Sequence, residues 1–321
     1  MKRPINRREF LKSATAWGIA GGALGSMTFT AKGSTDSLFL RTGTNMPGVI
    51  SGNPVIEFGL IADTHYGDRP DTRRPRFFRW SLPNVRQLIT QYNQWPLDFV
   101  VHLGDVIQEA GDRDDTLALL VAMDEELTKS TAPLHYVPGN HDLGDNSKTD
   151  FLDHTSGAVA AMRYYFDVEG YRFIILDAGF RSNGVEYDSG NFSWRDAFVP
   201  PAEMAWLEDT LDDALAENLR AIVFTHQNLE RPAVDHRISN ADAVLALLGS
   251  KGNVDMVMSG HRHAGGYDYV NGIHIVTMVA TVNGPDPAGG RVKIYEDGTI
   301  EVVGVGQRQP SWGPFQLIST P

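Results

Sequence analysis

Residues 55–65 read Val55-Ile56-Glu57-Phe58-Gly59-Leu60-Ile61-Ala62-Asp63-Thr64-His65. A β-branched and apolar run, Val55–Ala62, breaks off into three polar residues. Working outward, the same device recurs at Phe99–Leu103, Leu134–Val137, Phe173–Leu176, Ala221–Thr225 and Asp255–Ser259. Between these runs the spacing and cap signals predict helices over Pro83–Tyr92 (opening after Ser81), Asp114–Leu127, Ala202–Ala216 (after Pro200-Pro201) and Ala241–Leu248 (after Asn240). Short strands alternating with helices are crossovers to parallel neighbours, so the fold class is α/β. Towards the end, Gly272–Val279, Arg291–Tyr295 and Thr299–Val303 succeed one another without helices, which predicts an antiparallel portion of the core. The long loops at 64–80, 144–158 and 178–200 have the length of lids or binding loops.

The polar residues at the ends of the runs carry the chemistry. Asp63-Thr64-His65 ends the first, Gly104-Asp105 the second, Gly139-Asn140-His141-Asp142 the third, His226 the fifth and Gly260-His261-Arg262-His263 the sixth. Open α/β sheets bind ligands outside the carboxyl ends of their strands. Singly, each residue is equally a helix cap or a turn former, and the glycines serve tight turns. Together they put metal-capable side chains at one topological edge five times. The remaining histidines, His102, His135, His154, His236 and His274, sit in strand interiors or loops and read as structural.

The chain has 321 residues, no cysteine, and 40 acidic against 28 basic residues for a net charge of −12. Disulfides and thiolate metal sites are excluded, and the acidic balance argues against nucleic-acid binding. The set Asp63, His65, Asp105, Asn140, His226, His261 and His263 is all oxygen and imidazole, which suits Mn, Fe or Zn and is too nitrogen-rich for calcium. Seven donors fit two ions sharing a carboxylate, a clamp for phosphoryl chemistry whose bridging water becomes hydroxide near neutral pH.

The motifs D-x-H, GD, GNH[D/E], H and GHxH, in order from Asp63 to His263, resemble those of the calcineurin-like metallophosphoesterases. The resemblance implies a four-layer α/β/β/α sandwich of two mixed sheets with two divalent ions. Carried over by motif, Asp63, His65, Asp105 and His263 hold one ion, while Asp105, Asn140, His226 and His261 hold the other. His141 becomes the catalytic histidine at the leaving oxygen. Asp142 is either an acid that fixes a neighbouring imidazole or a turn former.

The continuation Gly104-Asp105-Val106-Ile107-Gln108-Glu109 departs from the GDxVDRG of protein Ser/Thr phosphatases. The flanking segments Phe58–Asp63 with Arg79–Leu82, Tyr171–Asp177, Trp206-Leu207 and Gly260–Tyr267 are similar to manganese-dependent ADP-ribose/CDP-alcohol diphosphatases, which favours Mn and a nucleotide diphosphate cleaved at its diphosphate linkage. Arg262 departs from the Asp common in that group. A cyclic-nucleotide phosphodiesterase, a broad phosphomonoesterase and a non-catalytic metal or phosphate binder share the ligand set, and only the binder has no use for His141. Arg69, Arg73, Arg74, Arg76 and Arg79 form either a solvated loop with a few salt bridges or a phosphate-binding loop, in which Arg76 and Arg79 are the candidates for a second phosphate. The aromatics Phe180, Phe192, Trp194 and Phe198 either stack on a base or anchor their loop.

Residues 1–31 read as an export segment. Asn6-Arg7-Arg8-Glu9-Phe10-Leu11-Lys12 precedes an uncharged stretch rich in Gly, Ser and Thr, Ser13–Ala31, too polar for a stable membrane anchor. The arginine pair resembles a twin-arginine signal, which implies the twin-arginine machinery as partner and a periplasmic or secreted location. Residues 32–54 read as a linker and 55–321 as the catalytic domain.

Overall fold

The computed structural model describes residues 52–70, 76–157, 161–231, 235–306 and 308–316. The export-type segment 1–31, linker residues 32–51, Arg73 and Arg74 lie outside them. Among the described residues no helix is long and apolar enough to cross a membrane.

The strands are β1 Pro54–Ile61, β2 Phe99–His102, β3 Leu134–Tyr136, β4 Tyr164–Val168, β5 Tyr171–Ile175, β6 Arg220–Phe224, β7 Val254–Ser259, β8 Ala264–Val270, β9 Ile273–Val279, β10 Gly289–Tyr295, β11 Ile300–Val305 and β12 Trp312–Phe315. The helices are α1 Ser81–Tyr92, α2 Arg113–Leu127, α3 Lys148–Asp153, α4 Pro201–Ala216 and α5 Ala241–Lys251. One sheet runs β12-β11-β10-β1-β2-β3 and the other β4-β5-β6-β7-β9-β8. In the first, β1, β2 and β3 are parallel, and β10 joins β1 antiparallel. In the second, β5, β6, β7 and β9 are parallel, with β4 and β8 antiparallel at the edges.

Alternation along the strands makes the layers. Ile56, Phe58, Leu60, Phe99 and Val101 of one sheet meet Phe173, Ile175, Ile222, Phe224, Met256 and Met258 of the other. Ile61 and Val100 pack with Leu88, Leu120 and Met123 of α1 and α2, and Ile174, Val223 and Val257 with Leu207, Leu211 and Leu245 of α4 and α5. Burial on both faces is why the runs are almost unbroken in apolar residues. The result is the expected α/β/β/α sandwich.

Two expectations need correction. The carboxy-terminal strands do not form one antiparallel portion: β9 lies parallel to β7 in the second sheet, while β10 and β11 belong to the first. The reason is a hairpin over Asn271-Gly272, both left-handed (φ 54° and 84°), which turns β8 back as β9 as a type I′ Asn-Gly turn does. Ser81 does not precede its helix but opens it, its hydroxyl donating to the Thr64 carbonyl.

Candidate metal centre and catalytic site

The parallel strands deliver their carboxyl ends to one edge. From the first sheet come Asp63 and His65 after β1, Asp105 after β2, and Asn140 and His141 after β3; from the second come His226 after β6, and His261 and His263 after β7. Each turn is sharp. Asp63, His65, Asp105 and His261 take left-handed backbone (φ 50°, 42°, 50° and 64°), a conformation of low population for residues with a Cβ. Neighbouring turns lock them: the Asp63 amide donates to the Gly104 carbonyl (3.1 Å) and the His65 amide to that of Asp105 (2.9 Å). Gly139 is forced, because a Cβ there would overlap the backbone and carboxylate of Asp105.

The donor atoms converge. Asp105 Oδ2 stands 3.3 Å from His65 Nε2 and 3.2 Å from His226 Nε2, between the two groups. On one side His65 Nε2 lies 3.0 Å from His263 Nε2 and 4.0 Å from Asp63 Oδ1. On the other, His226 Nε2 lies 3.2 Å from both Asn140 Oδ1 and His261 Nδ1. All of these residues are buried except His263, which is partly exposed.

Outer bonds fix which nitrogen faces inward. His226 Nδ1 donates to the Leu103 carbonyl (2.8 Å), tying the sheets together, and His261 Nε2 to the Trp194 carbonyl (2.8 Å); His263 Nδ1 faces Asn283 Oδ1 at 3.2 Å. Such partners set tautomer and orientation in metal-binding imidazoles. Burial keeps His65 and His261 well below the usual histidine range and His263 at about 3, hence neutral with lone pairs available. Burial likewise pushes the Asp63 carboxyl up to about 7. Packing this many lone pairs together away from water is unfavourable without cations among them, so the residues fit two divalent ions, which the two groups would hold with Asp105 common to both.

His141 stands at the rim. Its amide donates to Asp105 Oδ1 (2.8 Å), and its Nδ1 lies 2.5 Å from Glu109 Oε2. Burial opposes the imidazolium, but the Asp105 and Glu109 carboxylates outweigh it and hold His141 above the usual histidine range. With Nδ1 held, Nε2 is left to give a proton. Glu109 has no signature in the sequence because it touches its partner 32 residues away and sits in no strand-end turn. Asp142 acts as a turn acid, not on an imidazole: its carboxylate accepts from the Gly139 and Ile107 amides at 2.8 and 3.1 Å.

A cavity of about 840 Å³ opens onto this centre, lined by Arg76, Asp105, His141, Trp194, Arg195, Asp235, His236, His261, His263 and Asn283. Arg76 is thus on the cavity wall, whereas the Arg79 guanidinium pairs with the exposed Asp68. Arg262 turns to the buried Glu230 carboxylate. His236, read as structural, instead lines the cavity, its ring 5.1 Å from Trp194 and 5.4 Å from His261.

Residues 56–265 match the calcineurin-like phosphoesterase family. The chain belongs to that family. It is a hydrolase of phosphate esters. It is 25% identical over 290 residues to the manganese-dependent ADP-ribose/CDP-alcohol diphosphatase of Oryza sativa subsp. japonica (77% of this chain, 90% of that one). It is also 25% identical over 307 residues to the protein of the same name from Arabidopsis thaliana (82% and 98%). Its fold is similar to the crystal structure of a dimetal phosphatase from Danio rerio, with TM-score 0.67 and 22% identity over 81% of this chain and 99% of that one.

Proposed function

We propose that this chain hydrolyses the diphosphate linkage of nucleotide diphosphates of the ADP-ribose or CDP-alcohol type, with two divalent ions, manganese favoured. The observation that carries the reading is the cavity: it has room for a nucleotide and puts the Arg76 cation beside the two donor groups that share Asp105. The names of the plant relatives, which the chain covers almost end to end, support the same substrate class.

Bound ions supply the charge that polarises a phosphoryl oxygen and activates water. Arg76 offers a guanidinium to the second phosphate. His141, steadied by Glu109, gives a proton to the departing oxygen. The buried ring of turns holds these groups in fixed geometry before substrate arrives.

Side-by-side kinetics of manganese-loaded protein test this. ADP-ribose or a CDP-alcohol is expected to show higher kcat/KM than a simple phosphomonoester or a 3′,5′-cyclic nucleotide; a preference for the monoester defeats it. Export through the twin-arginine route belongs to the same reading and rests on Arg7-Arg8. Changing both to Lys keeps the charge, so unimpaired periplasmic accumulation of that variant would sink it.

A further inference from the structure

The cavity has two unlike ends. At one, Arg76 shares the wall with His141 and His263. Among the described residues no acid pairs with it. At the other, beside His261, stand Trp194, Arg195, Asp235 and His236. Here the cation is matched: Arg195 lies 3.9 Å from the Asp235 carboxylate, with its guanidinium carbon 4.2 Å from the Trp194 ring centre.

Trp194 is the one Trp, Tyr or Phe among the described residues lining the cavity, and it is 39% exposed. A tryptophan left this open at a binding cavity has apolar area still to bury. Its backbone is already committed, since its carbonyl receives the His261 Nε2–H. The segment around it is braced by the buried Tyr187 hydroxyl, which lies 2.8 Å from the Ser193 carbonyl and 2.9 Å from that of Asp196. Arg195 lies over the ring, so a flat group would stack on its open part, on a backbone that is already held and orders little on binding. The anionic end of a substrate is drawn to Arg76 and the planar, uncharged end to Trp194.

We propose that the nucleobase lies at the Trp194–His236 end of the cavity, so that water attacks the phosphorus nearer the nucleoside and the second phosphate leaves beside Arg76 and His141. This rests on the diphosphatase reading. The water oxygen bonds to the nucleotidyl phosphorus, and the bond from that phosphorus to the bridging oxygen breaks. The bridging oxygen departs with the second phosphate and takes the proton of His141. Water's proton goes to solvent, from which His141 is recharged. The products are a nucleoside monophosphate and a sugar or alcohol phosphate, and the new oxygen sits in the former. With the base at the opposite end, the leaving group would be the nucleotide and the label would move to the other product.

Two measurements on the manganese holoenzyme test this. Hydrolysis of ADP-ribose in ¹⁸O-water should put the label in the nucleoside monophosphate; label in the sugar phosphate overturns the orientation. Trp194→Ala should lower kcat/KM for ADP-ribose by roughly tenfold to a hundredfold through KM, the usual worth of one stacked base. A diester of diphosphate with no base should be nearly unaffected, and Trp194→Phe should restore most of the loss. Both variants keep the carbonyl that holds His261, so metal content should stay constant. Equal losses with and without the base overturn the stacking role. No cleavage of either diphosphate defeats the diphosphatase reading and the orientation with it, whereas label in the wrong product defeats the orientation alone.

Discussion

The two walls of the cavity are built by opposite means. On the metal side, each functional residue lies within a few residues of a buried parallel strand's end; Asp63, His65, Asp105 and His261 are left-handed there, and the turn at Asp63–His65 bonds to the one at Gly104-Asp105. On the substrate side, Trp194, Arg195, Asp235 and His236 belong to long connections between strands and helices, held by scattered contacts such as the Arg181–Asp196 pair and the buried Tyr187 hydroxyl. The first wall is determined by local geometry, and so leaves short motifs. The second is determined by packing over distance. Under the proposal above, function divides along the same line: the metal wall serves phosphate-ester hydrolysis, and the Trp194 wall holds the base of the substrate.

That contrast breaks most sharply at Asp105. Asp105→Asn removes the charge shared by both groups of donors, so elemental analysis should find both ions lost together and no measurable turnover; two tightly held ions would show the walls to be less distinct. His141→Ala should leave two ions in place and cut turnover by about 10²–10⁴, the range for a positioned proton donor. Metal loss in that variant would make His141 part of the ligand shell.

The substitutions Arg76→Ala and Arg79→Ala sharpen the comparison at the cavity's edge. The first should lower kcat/KM for a diphosphate by roughly tenfold, as expected for loss of a charge-assisted bond, and leave a monoester less affected. The second, whose side chain pairs with Asp68 in solvent, should change neither. Equal effects of the two would remove Arg76 from substrate binding.

The smallest effect concerns a buried acid outside the cavity lining. Glu203 in α4 is buried, with one carboxylate oxygen lacking a partner among the described residues, and burial raises it to about 7. An acid whose folded value is raised costs stability as pH climbs from its unfolded value through the folded one. Glu203→Gln should therefore be more stable than wild type at pH 8 and show no gain below pH 4, read by denaturant titration. A gain that persists at low pH would rule out the ionisation of Glu203 as its source.

The sequence is legible where local rules decide. The six central runs match strands to within about two residues because both faces are buried and apolar, and all seven metal donors and His141 meet at one edge. Edge strands β4 and β8 are hard to see because exposed Tyr165, Tyr267 and Tyr269 interrupt their apolar pattern. Asn271-Gly272 is nonetheless a hairpin signal that points to β8 and β9. Glu109 and His236 carry no such signal, since each matters only through a side chain brought to it from another part of the chain.

The seven donors are divided between the two sheets, Asp63, His65, Asp105 and Asn140 on one and His226, His261 and His263 on the other, so neither set alone would complete the site. A site assembled from such distant segments exists only in the folded chain, so ions are captured where the chain folds. A chain threaded unfolded across a membrane draws its ions from the far side. One that crosses already folded carries the ions of the compartment where it was made, and the pool it meets first decides which metal it works with.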